Sequence, residues 1–232
     1  LDDYLYRIIA RRRRSGVLED DMLSLLIRSG MPDGLIRDQL LTMIIAGHDT
    51  VTALLSWMLY LLSSHPHALS EAQSEIEAVL GSRPPSLACI GELRYLDQVM
   101  NETLRLYPPI HLGSRIAARD LEFQGYRISA GRRVLYSIYL THRDERYWRD
   151  PTAFIPERFS PEQTRPRPPY TFLPFGGGSR NCIGMAFAQV EAKVVVARIL
   201  QKFDLAFAGH IVRPHMGATL EPRPGVRVKV SR

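Results

Sequence analysis

Cysteine is scarce in this chain: only Cys89 and Cys182 occur among 232 residues. Two cysteines are too few for a framework of disulfides, and the sequence shows no secretory signal pattern. Free thiols of this kind are typical of a reducing compartment, so we expect a cytoplasmic protein.

Long uncharged hydrophobic runs are also missing. The longest covers residues 51–64, which is shorter than the ~20 residues needed to cross a bilayer. The sequence therefore predicts no transmembrane segment in this chain. Because the chain begins at Leu1 and not at methionine, we expect part of a longer protein, and a membrane anchor upstream remains open.

The charge balance is moderately basic, with 30 Lys and Arg against 24 Asp and Glu and a net charge of +6. The densest basic cluster, residues 11–14, contains no interleaved aromatic residues. A nucleic-acid surface would need such residues for base stacking, so no nucleic-acid site is predicted. The positive net charge favours docking to an acidic protein.

Helical patterns dominate the chain. They predict helices over residues 18–29, 35–64, 66–80, 92–106 and 184–202, with Gly or Pro after several of them. The second is apolar nearly all round, which predicts a buried central helix.

Strand patterns are short. Residues 121–123 and 126–128 flank a Gln-Gly turn and predict a hairpin, residues 134–136 predict a further strand, and strand-like stretches recur around residues 222–225. Residues 151–174 hold seven prolines and predict an ordered meander. No linker between two domains is recognisable, so residues 1–232 are expected to form one partial domain.

The run of residues 175–184 is the most informative segment. It reads Phe-Gly-Gly-Gly-Ser-Arg-Asn-Cys-Ile-Gly and ends where the last helical pattern begins. Glycines permit tight turns and the close approach of a flat ligand, and a thiolate beside a helix N-terminus is favoured by the helix dipole. An isolated cysteine here is compatible with a structural role or with metal ligation.

The pattern Phe-x-x-Gly-x-Arg-x-Cys-x-Gly resembles the haem-binding loop of the cytochrome P-450 monooxygenases. The resemblance implies a haem b (iron protoporphyrin IX) cofactor ligated by Cys182, which would be the metal ligand. The matching loop residues are Phe175, Gly178, Arg180, Cys182 and Gly184. It also implies a mainly α fold with small β-sheets, namely the C-terminal half of the cytochrome P-450 fold.

An acid and an alcohol lie inside the longest helical pattern, in Ala46-Gly47-His48-Asp49-Thr50. A polar interruption of a helix is the simpler interpretation of such a pair. The segment resembles the oxygen-activating groove of the family, Ala-Gly-x-Asp-Thr. In that resemblance Thr50 holds dioxygen or its water and Asp49 supplies protons.

Glu102 and Arg105 are three residues apart on one predicted helix, and such pairs are common on helix surfaces. Together with Arg158 they resemble the Glu-x-x-Arg helix of the family, which binds an arginine of the meander. We expect a buried triad that fixes geometry behind the cysteine loop.

Two arginines are expected to hold the haem propionates, because carboxylates favour bidentate guanidinium partners. The resemblance assigns this role to Arg180 and Arg115, and it leaves His142 either as a further contact or as a structural histidine. The same resemblance predicts a substrate pocket lined by Met43, Ala46, Ile110, Leu112 and Met216.

The resemblance implies a haem-dependent monooxygenase. It would activate O₂ to hydroxylate or epoxidise a lipophilic small molecule, with electrons from a ferredoxin or a flavoprotein reductase. The family pattern favours the microsomal-type branch, which also includes soluble bacterial members. Two alternatives remain: a truncated, non-catalytic fragment, and a peroxide-using or rearranging haem-thiolate enzyme.

Overall fold

The computed structural model of the chain describes residues 1–163 and 167–231. Residues 164–166 of the expected meander, together with residue 232, lie outside the described residues. The described chain is mainly helical with small antiparallel sheets, as the sequence predicts.

The chain divides into two compact units, residues 1–49 and residues 50–232. The division falls inside the long helix α3, Asp33–Ser64. No linker sequence marks the division, because α3 runs through it without interruption.

The first unit contains α1 (Asp2–Ser15), α2 (Met22–Arg28) and the first part of α3. Its small core is formed by Ile9, Leu23 and Ile36. α2 begins later than the predicted residue 18 because Asp21 caps it: the Asp21 carboxylate accepts a hydrogen bond from the Ser24 amide at 2.8 Å.

The two parts of α3 differ in burial. In residues 50–64 most apolar side chains are buried, and Trp57, Met58 and Leu62 are fully inaccessible. In residues 33–49 only Ile36 is buried, while Ile45 is 61% exposed. The prediction of a helix buried along its length is therefore wrong for this part, because the short core of the first unit covers only the Ile36 side.

By length and composition alone, α3 also meets the criteria for a membrane-spanning helix, with a mean hydropathy of 1.3 over its most apolar window. The sequence analysis considered only uncharged hydrophobic runs, and it did not select the whole of α3 because the first part of this helix carries charged residues. One such helix is weak evidence for a membrane span, since the core helix of a soluble protein meets the same criteria.

The second unit is built on α4 (Pro66–Leu80), α5 (Arg94–Leu106) and α7 (Met185–Leu200), with the short helix α6 (Ile138–Thr141). The apolar faces of the three long helices share one core with α3, which includes Leu54, Met58, Ala72, Ile76, Leu96, Val99, Met100, Val196 and Ala197. α5 begins two residues after the predicted start, because Ile90–Glu92 forms a separate 3-10 turn.

Four two-stranded antiparallel sheets complete this unit. The strand pairs are β1 (Leu112–Ile116) with β4 (Arg133–Ser137), β2 (Leu121–Phe123) with β3 (Tyr126–Ile128), β5 (Asp204–Phe207) with β8 (Val228–Ser231), and β6 (Arg213–Met216) with β7 (Leu220–Arg223). The β2–β3 hairpin has the predicted bounds, and its turn has positive φ at Gln124 (50°) and Gly125 (80°).

The N-terminus of α5 depends on a side chain from another helix. Leu93 precedes α5 and supplies no side-chain cap. Instead, the carboxylate of Glu75 on α4 accepts hydrogen bonds from the amides of Tyr95 (2.7 Å) and Leu96 (3.0 Å). These amides have no partner inside the helix, so Glu75 joins α4 to α5.

We expect Glu75→Ala to lower the free energy of unfolding by about 1 kcal/mol, the usual cost of losing a helix cap. Urea unfolding followed by circular dichroism measures the change. Glu77→Ala, at an exposed position on the same helix, is the matched control. Equal effects of the two substitutions would show that Glu75 does not cap α5.

Candidate functional site

The cysteine loop is closed by backbone hydrogen bonds. The amide of Cys182 donates to the carbonyl of Phe175 (2.9 Å), and the amide of Gly176 donates to Leu173 (3.0 Å). Gly176 and Gly178 have φ of 77° and 70°, a conformation that side chains other than glycine disfavour. The loop therefore requires two of its glycines for backbone geometry.

Cys182 is exposed, carries a free thiol and lies three residues before α7. Cys89 is also free, but its sulfur is engaged within its own turn. It accepts from the Ser86 amide (3.3 Å), lies 3.2 Å from the Ser86 hydroxyl and donates to the Ser86 carbonyl (3.4 Å). These bonds to Ser86 lower the pKa of Cys89. Cys182 is thus the cysteine that presents its sulfur at the glycine loop.

Three arginines line one cavity of about 420 Å³ beside this loop. Arg180 lies on the loop, Arg115 on β1 and Arg133 on β4, and Ser114 and Ile116 complete the lining. No carboxylate is among these lining residues. Such a cluster of guanidinium groups suits a ligand with carboxylate groups.

The structure brings together Arg115 and Arg180, which the sequence singled out, and adds Arg133, which it did not. Arg133 lies opposite Ile116 in the β1–β4 register. It directly precedes the strand predicted at residues 134–136 and gave no signal of its own, so the pairing register is needed to place it at the cavity.

Glu102, Arg105 and Arg158 form the expected cluster. The Arg105 guanidinium donates to both carboxylate oxygens of Glu102, from Nε at 2.7 Å and from Nη2 at 2.8 Å. Arg158 Nε donates to Glu102 Oε1 at 3.3 Å. The side chains of Glu102 and Arg105 are inaccessible to solvent, and that of Arg158 is 11% exposed. The interpretation as an ordinary surface pair is therefore excluded.

The remaining donors of Arg105 bind backbone carbonyls before and within the meander. Nη1 donates to the carbonyls of His142 (2.9 Å) and Pro151 (2.7 Å), and Nη2 donates to that of Ala153 (3.0 Å). Arg105 thereby satisfies its buried charge with carbonyl oxygens as well as with Glu102.

Trp148 and Arg167 belong to the same cluster and were not predicted. The guanidinium carbons of Arg105 and Arg167 lie 5.2 and 4.3 Å from the centre of the Trp148 ring, which is 1% exposed. Burial lowers the pKa of Arg167, and Glu102 opposes this shift. A guanidinium stacked on an aromatic ring has no spacing signature in the sequence, which explains the omission.

His142 is fully buried, and its Nε2 accepts a hydrogen bond from the amide of Leu173 at 2.9 Å. This bond joins the Arg105 cluster to Leu173, two residues before the cysteine loop. Of the two roles left open by the sequence, the geometry favours the structural one.

Asp49 and Thr50 both lie in α3, which is continuous through them. Asp49 is exposed and its Oδ1 lies 2.7 Å from Nδ1 of His48. Thr50 is half-buried in the second unit. His48 as a partner of Asp49 was not anticipated.

The expected pocket residues fall in both units. In the second unit, Ile110, Leu112 and Met216 are 42%, 45% and 53% exposed. Met216 on β6 pairs with Leu220 on β7, and the Leu220 amide donates to the carbonyl of Pro109 at 2.9 Å. The β6–β7 pair therefore contacts the segment that carries Ile110. In the first unit, Met43 is half-buried and Ala46 is exposed. These residues do not line the cavity beside the cysteine loop.

The β6–β7 pair is also bound to the second part of α3. The Trp57 indole N–H donates to the Leu220 carbonyl at 2.9 Å, and its ring stacks on Tyr107 with 3.7 Å between ring centres. Trp57 lies seven residues after Thr50, about two helical turns. This contact fixes the second part of α3, which begins at Thr50, against the β6–β7 pair that carries Met216.

Comparison with known proteins decides the family. A family model described as "Cytochrome P450" matches residues 1–229. The chain belongs to the cytochrome P450 family. This confirms the family resemblance and the fold class that the loop, the helix pair and the meander indicated.

Individual P450 relatives cover much of the chain. Cytochrome P450 4V2 of Rattus norvegicus is 39% identical over 208 residues, which is 85% of this chain and 38% of that protein. Putative cytochrome P450 139 of Mycobacterium tuberculosis (strain H37Rv) is 37% identical over 241 residues, 99% of this chain and 56% of that protein. The chain spans little more than half of the latter and less than half of the former.

Haem is the cofactor that this P450 family implies, and the residues present fit it. A free, exposed Cys182 lies on a loop of glycines, and the neighbouring cavity is lined by guanidinium groups. Ile183, next to the cysteine, is 95% exposed and offers apolar surface to a flat ring. Haem combines a metal that takes thiolate with two carboxylates and an apolar ring, which this set of groups matches.

The buried His142 predicts a pH dependence of stability. Burial lowers its pKa to about 4, and the neighbouring charges of Arg105 and Arg143 act in the same direction. The unfolded chain has an ordinary histidine pKa near ~6.5. Between these values the unfolded state binds a proton that the folded state does not, so acidification destabilises the fold.

We expect the free energy of unfolding to fall by about 3 kcal/mol through this group as the pH is lowered from 6.5 through 4, and the loss should level off below the folded-state pKa. Denaturant unfolding across this range measures it. His142→Gln should flatten the slope, while His67→Gln, at an exposed position on α4, should not. An unchanged slope in His142→Gln would contradict the assignment.

Proposed function

We propose that this chain supplies the thiolate side of a haem-dependent monooxygenase. The observation that carries the proposal is the exposed Cys182 on its closed glycine loop beside the cavity of Arg115 and Arg180. Bound haem would supply the activation of O₂. One oxygen atom enters the substrate and the other leaves as water, with two electrons and two protons consumed.

Cys182 is proposed as the thiolate that would hold the haem iron, with Phe175, Gly178 and Gly184 shaping its loop. Arg115 and Arg180 would bind the propionates, and Arg133 extends the same positive surface. The Glu102–Arg105–Arg158 cluster would keep the cysteine loop rigid through its contacts with the preceding segment. A rigid loop keeps a ligand sulfur in place without depending on the cofactor for order.

On α3, Thr50 and Asp49 are proposed to handle the proton. The Thr50 hydroxyl would be the hydrogen-bond donor for dioxygen or for its water, and the exposed Asp49 carboxylate, 2.7 Å from the His48 ring, would exchange protons with solvent. A general acid in contact with a titratable partner and with water suits this task.

The substrate is proposed to be a lipophilic small molecule. In the second unit, Ile110, Leu112 and Met216 offer apolar side chains without charge, which is typical of sites for such substrates. The electrons would come from a ferredoxin or a flavoprotein reductase. The net charge of +6 favours an acidic donor protein.

Substitution of the two cysteines tests the proposal directly. In the complete protein, Cys182→Ser should abolish the strongly red-shifted ferrous–CO absorption band that thiolate ligation produces, because serine offers no thiolate. Cys89→Ser should retain the band, since that sulfur bonds only within its own turn. The proposal fails if Cys182→Ser keeps the band or if Cys89→Ser loses it.

A further inference from the structure

Gly113 and Tyr136 lie directly opposite each other in the β1–β4 pair, and Arg115 lies opposite Val134. Opposed residues of antiparallel strands project to the same face, as do residues two apart on one strand. Gly113, Arg115, Val134 and Tyr136 therefore share one face of this two-stranded sheet.

The Tyr136 ring occupies the space that a side chain at position 113 would need. A methyl group added to Gly113 would overlap Cζ, the hydroxyl oxygen and Cε2 of Tyr136. Gly113 is not among the residues with positive φ, so its backbone does not require glycine. Glycine is required at position 113 because the Tyr136 ring approaches the backbone so closely. The outer end of the ring lies across β1 at this position.

The Arg115 guanidinium is held from two sides. Its carbon lies 5.5 Å from the centre of the Tyr136 ring, within the range of a cation–π contact. Its Nη1 donates to the carbonyl of Ser114 at 2.8 Å. An exposed arginine without such contacts would sample many rotamers and would lose that freedom on binding an anion.

We propose that Tyr136, seated on Gly113, is a positioning residue that holds the Arg115 guanidinium ready for a carboxylate of the cofactor. The inference rests on the proposed function, which gives Arg115 a propionate as its ligand. The aromatic face, and not the hydroxyl group, provides the support, because the contact is with the ring centre. Tyr136 thereby strengthens haem binding through Arg115.

The rate of haem loss from the complete holoprotein to excess apomyoglobin tests this without relying on turnover. Arg115→Gln should speed the loss. Tyr136→Leu should speed it about two- to five-fold, the worth of an exposed cation–π contact, and Tyr136→Phe should not. Tyr126→Leu, on the exposed β3 strand, is the matched control and should leave the rate unchanged.

The double variant Arg115→Gln with Tyr136→Leu separates positioning from general support of the fold. If Tyr136 acts through Arg115, the double variant should lose haem no faster than Arg115→Gln alone. The proposal would be overturned if Tyr136→Leu speeds haem loss by the same factor in the wild-type and in the Arg115→Gln background. So would a Tyr136→Phe variant that behaves like Tyr136→Leu.

Gly113→Ala provides a second test should Tyr136→Leu fail to fold. The substitution keeps Arg115 and Tyr136 but displaces the Tyr136 ring. It should therefore speed haem loss in the wild-type background and not in the Arg115→Gln background. If Arg115→Gln itself changes nothing, the proposed role of Arg115 fails. If Arg115→Gln matters and Gly113→Ala does not, the positioning role alone fails.

Discussion

The buried carboxylate of Glu102 is the interaction on which the second unit depends. It lies on α5 with no solvent access and receives hydrogen bonds from Arg105, Arg158 and the amide of Ile155 (3.0 Å). Removing these charges from water is costly, and their mutual attraction offsets the cost only when the geometry is close to ideal. The cluster is therefore better understood as a device that fixes geometry than as a source of net stability.

From this carboxylate a chain of contacts leads to the cysteine. Arg105 binds the carbonyl of His142, and His142 accepts from the Leu173 amide. Two residues later the cysteine loop begins, and it closes through the bond from the Cys182 amide to Phe175. Each step buries or engages a polar group that would otherwise lack a partner. The position of the sulfur is thus coupled to a charge on a different element of secondary structure.

Much of this arrangement was predictable from local pattern. The hairpin at residues 121–128 and the helix α4 have the predicted bounds because Gly, Pro and apolar periodicity act over a few residues. The family motifs located the cysteine loop, the Glu102 cluster and Arg115. Residue type and spacing alone left the roles of these residues open, and the resemblance to a known family singled them out.

The missed features depend on contacts between distant segments. Glu75 caps α5 from another helix, Arg133 reaches the cavity only through the strand register, and Arg167 stacks on Trp148 about twenty residues away. The exposure of Ile45 was missed because periodicity reports how apolar a helix is, not which elements cover it. Gly113 gave no signal of its own, since its requirement comes from the Tyr136 ring across the sheet.

Residue-resolved amide hydrogen exchange of wild type and Glu102→Gln tests the central coupling most directly. The substitution keeps a similar shape but removes the negative charge between the buried arginines. Protection of the Ile155 and Cys182 amides should fall together, and by more than that of amides within α4. Contradiction would come from a Cys182 amide that keeps its wild-type protection while the Ile155 amide loses it.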